Sequence, residues 1–166
     1  MKIFGVGSFA ARFPNALLAF FTPITLFFMG KSMKDYSFGV LWACIYMCGI
    51  LPSLYFRTGI IDPYFNLFIF TAIFFGYVHL TMEKSKKRYL VLLSGLFAGL
   101  ALITKGPVAL LVIFLVFSLL FLFKKVRIGF KNLVLFSLSV IVCSIFWYGH
   151  EIWQSGPWFL IEFLKY

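Results

Sequence analysis

Residues Tyr89–Phe123 read YLVLLSGLFAGLALITKGPVALLVIFLVFSLLFLF, an apolar run broken by one cation at Lys105-Gly106-Pro107. A helix crosses a typical hydrocarbon core in about 20 residues, so this run is too long for one crossing. Gly106 can turn the chain and Pro107 can open a second helix, where its missing N–H costs nothing. The run therefore predicts a helical hairpin with Lys105 at its tip.

Working outward, apolar stretches at Pro14–Met29, Gly39–Phe56, Pro63–Met82, Tyr89–Thr104, Pro107–Phe123 and Asn132–Gly149 give six candidate spans. Several are short, which thinning of the bilayer and snorkelling of flanking residues can accommodate. Composition agrees, since 63% hydrophobic and 12% charged residues leave too little polar surface for a water-soluble globule. The mean hydropathy is +1.02. The expected fold class is all-α, a polytopic transmembrane helical bundle of about six spans forming one partial membrane domain over residues 1–166. Each helix must satisfy its own backbone in lipid.

Cytoplasmic loops are enriched in Lys and Arg. Lys31 and Lys34, then Lys84, Lys86, Lys87 and Arg88, then Lys124, Lys125, Arg127 and Lys131 fall on one side, ten of the fifteen basic residues. That side is read as the cytoplasm. The other receives Lys2, Arg12, the Arg57–Asp62 turn, Lys105 and a tail from His150 to Tyr166, whose aromatics suit the headgroup zone and in which Pro157 is expected to open a short interfacial helix. An outer N-terminus bearing Lys2 and Arg12 runs against the rule that the other loops obey. The expectation is therefore a fragment, with Met1 an internal methionine and a further span upstream.

The net charge of +10 is accounted for by loops facing anionic headgroups, so nucleic acid is not an expected partner. Cys44 and Cys48 lie one helical turn apart in one span and Cys143 lies in another, which points to packing rather than to a disulfide or metal framework. There is no Gly-rich phosphate loop, Ser nucleophile elbow, or His and Cys cluster at ligand spacing. No cofactor is expected; a divalent metal is compatible with this composition, but nothing in the sequence indicates one. Gly95 and Gly99 fit the small-xxx-small pattern by which membrane helices approach closely.

Ionisable groups at membrane depth are costly and tend to be kept for a site. Arg57 and Asp62 bracket a turn in which Gly59 bends the chain, and Asp62 before Pro63 is placed to cap the next helix. Capping and snorkelling would explain this pair as well as function would. Lys105, beside the start of the helix at Pro107, would make a small anion site, against the plainer reading of an interfacial anchor. His150 and Glu151 offer an acid/base pair or ligands, although sequence neighbours rarely share one geometry. Cations at Arg12, Arg57 and Lys105 with carboxylates at Asp62 and Glu151 suit a phosphate-bearing lipid, held by the cations while a carboxylate acts on an incoming hydroxyl.

The segment Ser8-Phe9-Ala10-Ala11-Arg12-Phe13-Pro14-Asn15, the turn Arg57-Thr58-Gly59-Ile60-Ile61-Asp62, and above all Thr104-Lys105-Gly106-Pro107 resemble the GT-C membrane glycosyltransferases of the family 39/83 type. These include protein O-mannosyltransferases and the lipid A aminoarabinose transferase. Trp147-Tyr148 and Gly156-Pro157-Trp158-Phe159 continue the likeness in order. The resemblance implies transfer of a sugar from a polyprenyl-phosphate donor to a lipid, glycan or protein acceptor at the non-cytoplasmic face, periplasmic if the membrane is a bacterial inner one. It assigns Asp62 to the family's second acidic position, Arg57 and Lys105 to phosphate contacts, and Arg12 to the shape of the same pocket. The family's principal catalytic carboxylate lies in a first outer loop that would precede Met1. The intact parent is thus expected to be active and this chain alone inactive.

Two rivals belong to other classes. A lipid-phosphate or sugar transporter would show an internal repeat and discontinuous helices near the midplane, and neither is visible in the sequence. A non-catalytic membrane subunit would bind polyprenyl phosphate without turnover.

Overall fold

The computed structural model describes residues 7–81, 88–124, 129–156 and 158. Among these residues seven helices follow in order: α1 (Ser8–Met33), α2 (Tyr36–Cys48), α3 (Ile50–Thr58), α4 (Asp62–Thr81), α5 (Arg88–Lys105), α6 (Val108–Lys124) and α7 (Phe130–Ser155). No strand occurs among the described residues. Among the described residues four helices are long and apolar enough to cross a bilayer: those at Phe9–Met33, Asp62–Thr81, Arg88–Lys105 and Phe130–Gln154. The pair α2 and α3 makes a fifth crossing if taken together, and the stretch Val108–Phe123 is apolar but shorter. Many large apolar side chains are exposed, Phe123 and Phe146 at 83% and Trp153 at 91%. A surface of that kind belongs in hydrocarbon and its interface.

The structure departs from the sequence reading at three places. The stretch Gly39–Phe56, read as one span, is two helices bent by 62°. Pro52 has no N–H to return to the Cys48 carbonyl, and Gly49 leaves the helical region at φ −66°, ψ 133°. The first helix reaches back to Ser8 with Pro14 and Pro23 inside it, instead of starting at Pro14. The last runs on to Ser155, so His150 and Glu151 are helical rather than the start of a tail. Of the interfacial helix expected from Pro157 the described residues include Trp158, which is helical; the rest lies outside them, as do Lys2 and the loop cations other than Lys31, Lys34, Arg88, Lys124 and Lys131.

Chain contacts divide the molecule into two compact units, residues Met1–Leu67 and Phe68–Tyr166. In the first, α1 packs on α2 through two glycines. A Cβ on Gly39 would sit 2.5 Å from the Phe27 carbonyl oxygen, and one on Gly30 would sit 2.8 Å from the Gly39 Cα. Asp35 caps α2, its Oδ1 accepting the Phe38 N–H at 2.7 Å.

The second unit is built around α5. Ala98 and Ala101 are fully buried, and the Ser94 hydroxyl donates to the Ala72 carbonyl of α4 at 2.7 Å. Phe97 stacks on Phe75 with centroids 6.0 Å apart. The small-xxx-small pair lies at the contact with α7: a Cβ on Gly95 would be 2.7 Å from the Phe136 carbonyl oxygen, and one on Gly99 would be 2.7 Å from the Cys143 Cβ. Cys143 thus packs as expected, whereas Cys44 and Cys48 are exposed.

Candidate functional site

In the first unit the chain turns between α3 and α4. Gly59 ends α3 in the left-handed region, at φ 69° and ψ 22°, a conformation that favours glycine. Helix α4 then takes in Asp62 as its first residue, with the Ile61 carbonyl accepting the N–H groups of Tyr64 and Phe65. Asp62 therefore falls one position inside the helix rather than at the capping position, a carboxylate in the first turn that complements the helix dipole.

This turn is fastened to α1. The Asn15 side-chain amide donates to the Ile60 carbonyl at 2.9 Å. A Cβ on Gly59 would lie 3.6 Å from the Ala11 carbonyl oxygen and 3.8 Å from the Arg12 Cγ. Arg12 accordingly lies against the turn, Arg57 occupies the last turn of α3 before it, and Asp62 follows it. Both guanidinium-bearing residues are exposed, and Asp62 is half-buried. The break between α2 and α3 leaves a cavity of about 360 Å³ against α1, lined by Ala16, Pro23, Tyr46, Pro52, Phe56 and Arg57 among others. Arg57 is the charged member of that lining.

The other three sequence candidates belong to the second unit. Lys105 ends α5, and Gly106 (φ 72°) and Pro107 close the predicted hairpin before α6. The Gly106 N–H returns to the Leu102 carbonyl at 2.7 Å. Gly95 meets Phe136 and Ser139, and Gly99 meets Val140 and Cys143, so α5 and α7 run parallel. Continued along both helices, that register sets Lys105 level with residues 146–149, just before His150 and Glu151. His150 is exposed, its Nε2 3.5 Å from the Gln154 Nε2, and Glu151 is half-buried.

The family model described as dolichyl-phosphate-mannose-protein mannosyltransferase matches residues 1–148. The chain belongs to this mannosyltransferase family. Neither the curated proteins nor the solved structures contain a match to it. Membership of a membrane glycosyltransferase family and the apolar helices together make this a multi-pass integral membrane protein. The mannosyltransferase match includes Arg12, Arg57, Asp62 and Lys105, and it ends before His150 and Glu151.

Three polar residues in this mannosyltransferase-family chain escaped the sequence reading. Asn15 is 4% exposed and holds the turn to α1. His79, near the end of α4, is 9% exposed, and its Nε2 lies 2.9 Å from the Nδ2 of Asn132 in the first turn of α7. The usable signal was an isolated amide or imidazole within an apolar stretch, which must find a partner there. Among the described residues no group of three or more His, Cys, Asp or Glu side chains could hold a metal ion.

Proposed function

We propose that the protein acts in transfer of a sugar from a polyprenyl-phosphate-linked donor to a lipid, glycan or protein acceptor, at the non-cytoplasmic face of a membrane. The observation carrying this reading is the Arg57–Asp62 turn, fastened beside Arg12 within the stretch that the mannosyltransferase family matches.

The chemistry follows from the residue types. The Asp62 carboxylate, at the second acidic position, assists removal of the acceptor hydroxyl's proton as that oxygen attacks the anomeric carbon from the face opposite the phosphate. The bond between that carbon and the phosphate oxygen breaks, and the sugar inverts. The departing lipid phosphate gains negative charge, which the planar Arg57 guanidinium meets through paired N–H donors. Arg12 supplies further positive charge at the same turn. The cavity lined by Arg57 offers apolar wall for the first part of the lipid chain. In the second unit, Lys105, His150 and Glu151 are proposed as substrate-binding groups in their own right. The family and the outward distribution of these groups favour a lipid-linked donor and a non-cytoplasmic site; a periplasmic site in a bacterial inner membrane is the form this proposal takes.

The test uses the full chain in proteoliposomes with polyprenyl phosphate carrying radiolabelled mannose. Wild-type protein should retain the lipid, unlabelled polyprenyl phosphate should displace it, and Arg57→Gln should retain at least tenfold less. Label entering the vesicle lumen with its bond to phosphate intact would favour a transporter. Absence of competition by polyprenyl phosphate would sink the reading.

A further inference from the structure

The second unit holds a cavity of about 560 Å³ to which the proposed reaction assigns no role. Its volume lies within the range of ligand pockets, roughly 300–1,000 Å³. Its base is buried, with Gly76 of α4 and Val91 and Ser94 of α5, and its rim is exposed, with Phe114 and Phe121 of α6 and Leu133 of α7. The base can exist because Gly76 has no side chain: a Cβ there would collide with the Phe117 ring.

The cavity has one polar end. His79 and Asn132 line it there, and the Asn132 amide donates to His79 Nε2, which leaves the proton on Nδ1. That Nδ1 is buried and has no hydrogen-bond partner, in a side chain more than nine-tenths buried. The His79–Asn132 pair closes this end of the cavity, with the buried Nδ1 turned away from any ligand held there. Positive charge flanks the same end. Arg88 opens α5 one helical turn before Val91, Lys131 precedes Asn132 in α7, and both are exposed. This end is also the one away from the Lys105 hairpin, since α5 begins and α6 ends there.

From this placement we propose that the cavity is a structural lipid site, holding one acyl chain of an anionic glycerophospholipid from the leaflet at which Arg88 and Lys131 lie. The chain occupies the aromatic crevice between α6 and α7. The phosphate oxygens face the exposed Arg88 and Lys131, as basic crevices between membrane helices hold anionic headgroups. The inference is independent of the sugar-transfer reading and concerns a different set of residues.

The test is photo-crosslinking of the full chain in phosphatidylcholine nanodiscs doped with phosphatidylglycerol bearing a diazirine on one acyl chain. Adducts mapped by peptide mass spectrometry should concentrate on Phe114, Phe121 and Phe136 relative to Phe146, an α7 side chain 83% exposed outside the cavity. Unlabelled phosphatidylglycerol should compete at least fivefold better than phosphatidylcholine. Ser118→Trp, which fills the cavity, should abolish the enrichment, and Arg88→Gln with Lys131→Gln should erase the headgroup preference. The competition needs only wild-type protein, so a variant that fails to fold leaves the proposal open to refutation. Equal labelling of Phe146, equal competition by the two phospholipids, or competition by polyprenyl phosphate alone would each overturn it.

Discussion

Asn15 of α1 donates its side-chain amide to the Ile60 carbonyl 2.9 Å away, joining two residues 45 positions apart. The bond fixes the Arg57–Asp62 turn on the helix that carries Arg12. Asn15→Leu removes the donor and strands a part-buried carbonyl, a loss of about 1–3 kcal/mol. The expected outcome is a lower thermal midpoint in detergent together with weaker retention of polyprenyl-phosphate mannose. An unchanged midpoint would show that the turn holds without this bond.

Arg57→Lys separates charge from geometry at that turn. A lysine keeps the positive charge but loses the guanidinium fork that matches two phosphate oxygens. Retention of the labelled lipid by Arg57→Lys should fall between wild type and Arg57→Gln. Asp62→Asn should leave retention nearly intact while lowering any measured transfer by about 10²–10⁴-fold, the usual contribution of a general base. Equal loss of retention in all three variants would point to damage of the turn instead.

The contact between α5 and α7 makes a reciprocal prediction. Gly99→Ala places a Cβ 2.7 Å from the Cys143 Cβ, and overpacking of this kind costs about 1–3 kcal/mol. In a Cys143→Gly background the same substitution should cost little, because most of the obstructing atoms are gone. The measurement is a double-mutant cycle on thermal unfolding in detergent. Additive effects would mean that the two helices do not meet at these residues.

The hairpin at Lys105-Gly106-Pro107 and the Gly95/Gly99 contact were legible, because turn chemistry and small-residue spacing are local signals. The break at Gly49 was less so, since Pro52 sits in an unbroken apolar run and hydropathy does not register a 62° bend. Of the site, the Arg57–Asp62 turn was visible in sequence as a pair of charges around a glycine. Its attachment to α1 was not, because Asn15 bonds to a carbonyl that no pattern can pick out at such a distance. The pairing of His79 with Asn132 was hidden for the same reason, since an isolated imidazole signals that it needs a partner but not that the partner is 53 positions away.

The His79–Asn132 pair should show the asymmetry of a buried hydrogen bond. Asn132→Leu leaves the His79 ring with neither nitrogen bonded, at about 1–3 kcal/mol, whereas changing both residues to apolar ones of similar size can be nearly neutral. The double variant His79→Phe with Asn132→Leu is therefore expected to melt above Asn132→Leu alone. A double variant less stable than either single one would indicate that His79 has a partner beyond Asn132.

Gly59 tests backbone conformation apart from space. A Cβ there would meet the Ala11 carbonyl oxygen at 3.6 Å, an ordinary contact, so sterics with neighbours do not demand glycine. The left-handed φ of 69° does, at about 1–2 kcal/mol for an L-residue. Asparagine tolerates that region better than alanine, and a β-branched residue tolerates it least. The melting order should thus be wild type, Gly59→Asn, Gly59→Ala, Gly59→Val. Retention of polyprenyl-phosphate mannose should follow the same order, since Arg57 and Asp62 are aimed by the turn that Gly59 makes. Gly59→Asn falling below Gly59→Ala would place the constraint in side-chain volume rather than in the backbone.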